Sequence, residues 1–429
     1  MTWVPVDGAE IRGDVTLAPG VYWLPAGLTI AADNLTLDGN GATLIGAPGQ
    51  GSGLRLQGRR NVTIRNLNLQ NYYHGIAAGD CTGLRIEGCQ SRGSAEVVAN
   101  TVFLDIWRPA AEAYGAAICL NDVRDSLIID NDLQHQMNGL LAYHSHNLTV
   151  SGNNASYCSG FGFHLYGTSH SLYADNYADY CCRYQPREGG QGHMGADAAG
   201  FLILYGSSHN QFLRNKARLG GDGFFLAGLT PAGEHRGANH NLFAENDGSY
   251  SPNIAFEGTF SEGNIYRRNI ANYCNYGFWL GFSSRCTLEE NQLWRNRQAG
   301  IAVENGVGMT VRRNAFHHNG HGLLLWSKHV AKFAAAVPEN DTSRDWLIEH
   351  NRFSDNQIGI RVAAHQDHGI RALPAAQRLA PAPRGHTIQH NQFSGHRIAV
   401  DLHGAIETAV AANQFAGSLV MDLREVAGA

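Results

Sequence analysis

Glu257 and Glu304, in the phrases IAFEGT and GIAVEN, are acids set among apolar residues and closed by Gly or Asn. Two carboxylates in such surroundings can cleave a glycosidic bond. One, with a raised pKa, protonates the leaving oxygen, and the other takes a proton from the attacking water. Asp222, in GGDGFFLAG, is a third acid of the same kind. A histidine is the second oddity. GFHLYGTSH (Gly162 to His170) returns as FLILYGSSH (Phe201 to His209), with His164 where the copy has Ile203. Tyr143, Tyr166, Tyr205, Phe225, Trp279 and Trp326 occur in the same kind of phrase. Their flat rings suit the apolar faces of sugar rings, so they and His164 are expected to bind substrate.

The elements that must position these residues follow from a repeat. Asn131, Asn153 and Asn176 are spaced by 22 and 23 residues, and Asn246, Asn269, Asn291 and Asn314 by 23, 22 and 23. Asn215, Asn351, Asn391 and Asn413 continue the ladder, some of them after insertions. A fixed period of this length marks a solenoid. Each period holds short alternating runs such as GFWLGF and CTLEEN, which are strand and turn signals, and none carries a long helical stripe. Three short strands and three turns per period make one coil of a parallel β-helix, an all-β fold. Asparagines stacked at one turn would hydrogen-bond from coil to coil. One such domain is expected over residues 1–429, with 1–14 and 416–429 as caps over its ends.

The segment LAPGVYWLPAGLTIAADNLTLDGNGATLIG (Leu17 to Gly46) resembles the first coils of the pectate-lyase-like right-handed parallel β-helix superfamily. The recurring N-x-x-x-x-x-x-x-G pattern is similar to its carbohydrate-binding and sugar-hydrolysis repeats, and the resemblance runs from about residue 14 to 415. It implies the fold. The superfamily includes hydrolases, lyases, epimerases, tailspikes and adhesins, and no family's catalytic residues carry over one by one.

Strand alternation separates inside from outside. Ala142, Leu165, Leu204, Leu226, Phe256, Leu280, Val303 and Leu325 align as an inward column, with Leu140, Phe163, Leu202, Phe224, Ile254, Phe278, Ile301 and Leu323 as another. The outward columns are then Leu141, His164, Ile203, Phe225, Ala255, Trp279, Ala302 and Leu324, and Tyr143, Tyr166, Tyr205, Ala227, Glu257, Gly281, Glu304 and Trp326. In this register Glu257 and Glu304 share a column two coils apart, a separation of about 10 Å. Leaning side chains would reach the roughly 6.5–9.5 Å of inverting glycosidases. An outer face so rich in aromatics is a binding groove or a surface buried by packed-down insertions.

Insertions over about 91–114, 181–199, 229–237, 327–344 and 364–385 flank this face and supply His193, Asp197, Lys328 and Asp367, among others. His193 and Asp197 are expected to touch substrate. Loops at both rims favour a short oligosaccharide or a chain end. Glycoside hydrolysis is the first expectation. The alternative is lyase or epimerase chemistry on a uronic acid, with His164, Tyr166 or Tyr205 as base and Arg183, Arg187, Arg236 or Lys328 as counter-charge. A third is a non-catalytic carbohydrate-binding or structural β-helix. FHHNGH (His317, His318, His321) and HQDH (His365, Asp367, His368) look metal-like but read as turns, so no metal or cofactor is expected.

Composition removes other classes. The net charge of −5 with 12 prolines and 16% charged residues offers no basic surface for nucleic acid. No run of 18 apolar residues spans a membrane. MTWVPVDGAE lacks the basic and apolar regions of a secretory leader, pointing to the cytoplasm or to a leader already trimmed. The eight cysteines form no CxxC pair, and buried free thiols are expected. Association into a homo-oligomer is left open.

Overall fold

The short apolar runs form strands, and the strands of the coils pair in parallel with their counterparts on the next coil. The computed structural model describes residues 2–98, 103–186, 192–194 and 198–426. Its chain divides into two units, Met1–Asp222 and Gly223–Ala429. In the first, Val62–Arg65, Arg85–Glu87, Arg124–Ile129 and His146–Ser151 follow one another in one sheet. Ala116–Asn121, Leu140–Tyr143, Phe163–Tyr166 and Ala199–Leu204 do so in another. In the second unit, one sheet contains Tyr276–Trp279, Ala299–Glu304, His321–Trp326, Ile358–Ala363 and Ile398–His403. Gln292–Trp294, Ala315–His317 and Arg352–Ser354 form another face, and Thr287–Glu289, Thr310–Arg312 and Leu347–Glu349 a third. Both units are coils of a parallel β-helix.

The asparagine ladder is built as its spacing predicts. The residue before each rung is left-handed, as at Asp130, Asp175, Arg268, Glu290 and Arg313, and it turns the asparagine side chain inward. Asn269, Asn291 and Asn314 then bond amide to amide at 3.1 and 2.9 Å, and each also donates to a core-strand carbonyl. A second ladder, Asn296–Asn319–Asn356, runs beside it and ends on His396, whose Nδ1 accepts the Asn356 N–H at 3.1 Å. Asn291→Ala is expected to orphan groups on both neighbouring coils, at about 1–3 kcal/mol for each. Urea unfolding measures this, and an unchanged midpoint would contradict it.

Aromatic stacks fix the core. Phe224, Phe256 and Phe278 stack at 4.8 Å per step, and Phe316, Phe353 and Phe393 at 4.5 and 4.9 Å. None of the eight cysteines forms a disulfide, and seven of them are buried.

Two registers differ from those expected by alignment. Phe256, not Ile254, lies opposite Phe224, so Glu257 is in register with Phe225 and Trp279. The stacked phenyl rings decide this. Gly258 completes it, because the inward position it takes lies against Tyr266, whose hydroxyl oxygen would be 2.8 Å from an added Cβ. Glu257 and Glu304 therefore occupy different outward columns. In the first unit, His164 lies opposite Leu202, not Ile203, and Ile203 faces the core opposite Leu165. Left-handed Tyr205 (φ 53°) absorbs the extra residue and still stacks on Tyr166 at 4.4 Å.

Candidate active site

The outer face of the second unit carries an aromatic corner. Trp279 meets Tyr276 edge-on at 4.9 Å and Trp326 at 5.2 Å, the arrangement that ring quadrupoles favour. Ala299, Ala302, Leu324 and Ala363 pack beneath. Ala302 lies opposite Trp279 in register, and its small side chain gives the indole room. The 364–385 insertion folds onto this corner. Gln366–Asp367 pairs antiparallel with Arg371–Ala372, and the turn between them brings the His368 ring to 6.0 Å from Trp279 and 6.2 Å from Trp326. Gly369 (φ +65°) comes so close that a Cβ there would lie 2.7 Å from Leu324 Cδ1. Trp326 is consequently buried completely, while Tyr276 and Trp279 are half-buried.

Glu304 closes the strand Ala299–Glu304 and stands beside Trp279 over Gly281. A Cβ at Gly281 would be 3.3 Å from both Glu304 Cγ and Trp279 Nε1, so the acid and the indole share the space a side chain there would fill. Burial pushes the Glu304 carboxyl above its ordinary value. The Lys328 ammonium and the Trp326 indole oppose that rise, and the Asp367 carboxylate adds to it. The indole N–H of Trp326 favours the carboxylate without reaching hydrogen-bond geometry to an acceptor. Tyr276 is raised too, first by burial and then by Asp367, with Arg297 opposing. Glu257 is half-buried one coil from Trp279. Two coils and two residues separate its backbone from that of Glu304, about 12 Å on the diagonal. Phe225 lies on the far side of Glu257 in the same column and is almost fully buried.

The first unit treats its outward residues differently. His164 is 2% exposed, and Tyr143 and Tyr166 are buried beside it. Its ring stacks on Phe161 at 5.4 Å, and the Ile106 backbone of the 91–114 insertion reaches it. Arg183 pins that insertion by donating to the Val97 and Val98 carbonyls at 3.1 and 2.6 Å. Asp222 is fully buried at the start of Asp222–Ala227. His193 lies in the strand Gly192–Met194, and Asp197 lies outside the described residues.

Burial drives the His164 pKa down to about 3, with the Ile106 backbone opposing, and those of His74 and His386 down to about 4. Such histidines stay neutral in the folded chain and bind protons on unfolding. The stability they contribute is present above about pH 6.5 and lost as pH falls toward the folded values. His164→Leu, which copies Leu202, is expected to flatten the acid limb by about one proton, or ~1.4 kcal/mol per pH unit. Urea unfolding between pH 7 and 4 tests it, and an unaltered slope would count against the assignment.

Two features escaped sequence reasoning. Asp401, fully buried in Ile398–His403, accepts from Arg361 at 2.9 Å and from Arg424 at 2.7 and 2.6 Å, with His403 Nε2 at 2.9 Å. Arg361 and Asp401 face each other in the outward column, a signal that alternation carried but that spacing across the insertion hid. Arg55, His74, Cys119 and Asn121 border a hollow of about 420 Å³ in the first unit, and no shared phrase announced it.

Residues 20–217 and 91–249 match the family described as Right handed beta helix region. The chain belongs to the right-handed beta helix family. Residues 201–421 of this β-helix chain also match the family described as Periplasmic copper-binding protein (NosD), to which it likewise belongs. No curated protein matches it. Among solved structures, it resembles the Azotobacter vinelandii mannuronan C-5 epimerase AlgE6 A-module at 14% identity and TM-score 0.42, covering 95% of this chain and 91% of that one. It also resembles the catalytic unit of the GH87 alpha-1,3-glucanase from Streptomyces thermodiastaticus strain HF3-3, at 11% identity and TM-score 0.49. That match covers 95% of the β-helix chain and 64% of the glucanase. At such identities the likeness concerns the β-helix fold alone.

Proposed function

We propose that the aromatic corner of the second unit binds a sugar ring and that Glu304 is the general acid of a glycoside hydrolase. One observation supports this most: a half-buried carboxyl, raised by burial, shares the space over Gly281 with the indole of half-buried Trp279. A carboxyl shifted in this direction holds its proton to higher pH than an ordinary glutamate, as protonation of a leaving oxygen requires. Trp279 and Tyr276 supply the stacking surface, and Trp326 holds Trp279 from behind. Asp367 is the carboxylate whose charge already acts on Glu304, and it takes the base role. It removes a proton from water as the oxygen attacks the anomeric carbon. The glycosidic C–O bond breaks, and the leaving oxygen takes the Glu304 proton. Glu257, one coil from Trp279, bonds sugar hydroxyls.

The test is a panel of neutral and uronate oligosaccharides offered to wild type, Glu304→Gln, Asp367→Asn and Glu257→Gln. Products are read as new reducing ends and as absorbance of an unsaturated sugar. Reducing ends without that absorbance, lost with Glu304 and Asp367 and weakened in KM with Glu257, are the expected outcome. Unsaturated product, or full activity in Glu304→Gln, would overturn the proposal.

A further inference from the structure

The phrase FHHNGH forms a corner between coils. The strand Ala315–His317 ends on His317, and left-handed His318 (φ 55°) then turns the chain into buried Asn319. One coil on, Ser354, left-handed Asp355 (φ 53°) and buried Asn356 repeat the corner, with His317 in register with Ser354. The hydrogen bond from Asn319 Nδ2 to Asn356 Oδ1, 2.8 Å, locks the two corners together. Coil stacking therefore sets His318 beside Asp355, although 37 residues separate them. The His317 and His318 ring centroids are 4.0 Å apart. His317 Nδ1 lies 2.8 Å from Ser354 Oγ and 3.5 Å from Asp355 Oδ2. One ligand atom from each of His317, His318 and Asp355 falls within 4.8 Å of the others.

We propose that His317, His318 and Asp355 form a binding site for a divalent first-row transition metal ion. The ligand set selects the class. Two imidazoles and a single carboxylate suit copper(II), nickel(II) or zinc, with copper highest in the usual order of affinity. Calcium and magnesium need several oxygens, which two imidazoles and one carboxylate do not supply. The surrounding side chains hold the ligands in place. The Ser354 hydroxyl orients the His317 ring, as hydrogen-bonded partners of metal-binding histidines do. Gly395 leaves room for Asp355, since a Cβ there would fall 2.2 Å from Asp355 Oδ1. His318 and Asp355 are exposed and His317 is half-buried, so an ion reaches the corner without local unfolding. The corner lies within residues 201–421, the span matched to the copper-binding family, and its donors fit copper(II). It stands on a different face from Glu304, and the site does not depend on sugar chemistry.

The experiment is calorimetric titration of the full chain, carrying no affinity tag, with Cu²⁺, Ni²⁺, Zn²⁺ and Ca²⁺, followed by electron paramagnetic resonance of the copper-loaded protein. One copper per chain is expected, with nitrogen hyperfine structure, and no calcium uptake. His318→Asn keeps a residue tolerant of the left-handed turn and should weaken binding by about 10–100-fold. His317→Gln combined with His318→Asn should abolish it while the circular dichroism spectrum stays unchanged. His170→Asn is the control, because the ring of His170 lies 4.8 Å from that of His146 and 5.0 Å from that of His209 in the first unit, a cluster able to take up metal adventitiously. No uptake by wild type, uptake unaltered in the double variant, or uptake lost only in His170→Asn would overturn the assignment.

Discussion

Asp401→Ala is expected to destabilise the second unit by about 3–5 kcal/mol, the usual cost of stripping the partner from a buried charge. Asp401 has no exposed surface, and its side chain holds Arg361 and Arg424 together with His403. Burial lowers the Arg361 guanidinium pKa, so without the carboxylate this cation stays desolvated and unpaired. Arg424 is one-third exposed and regains water, which keeps the cost below that of two stranded cations. Removing both sides separates pairing from packing. Asp401→Leu with Arg361→Met should recover most of the loss, because apolar groups of similar volume often replace a buried pair without penalty. Urea unfolding of the single and double variants measures both quantities. A single-variant loss under about 1 kcal/mol would mean that the cluster is wet and weakly coupled.

Glu304→Gln is expected to lower kcat by about 10²–10⁴-fold with little change in KM, since glutamine keeps the shape and loses only the transferable proton. The wild-type rate should fall as pH rises through the raised Glu304 pKa, because the protonated acid is the active form. That limb should vanish in the variant. Stability should follow the same direction. A carboxyl with a raised folded pKa binds its proton more tightly in the folded chain, so its contribution declines as pH rises from the unfolded value through the folded one. Glutamine carries no charge to desolvate, so the variant should unfold no more easily than wild type at neutral pH. Lost activity with retained stability assigns the effect to the proton.

The coil repeat was legible because an asparagine rung needs a fixed turn, and a fixed turn imposes a fixed spacing. The ladder from Asn246 to Asn314 reads directly from its period. Register was harder, since alternation has a period of two and a slip of two residues satisfies it equally. Ile254 and Phe256 were both acceptable inward residues, and only the Phe224–Phe256–Phe278 stack separates them. That slip moved Glu257 out of the Glu304 column. The candidate site suffered more, because an insertion's length does not reveal where it lands. The 91–114 segment covers His164, and the 364–385 segment covers Trp326 while bringing Asp367 and His368 to the corner. His317 and His318 lie at a turn, as their phrase indicates; stacking of two turns, invisible in a linear phrase, makes them neighbours of Asp355.

The most direct test of the acid role is the titration of the Glu304 carboxyl itself, followed by carbon NMR on glutamate-labelled protein with Glu304→Gln for assignment. An inflection above the ordinary glutamate value is expected, shifting further when a bound oligosaccharide displaces water from Trp279. An inflection at the ordinary value, unmoved by every sugar in the panel, would contradict the acid role and the site built around it.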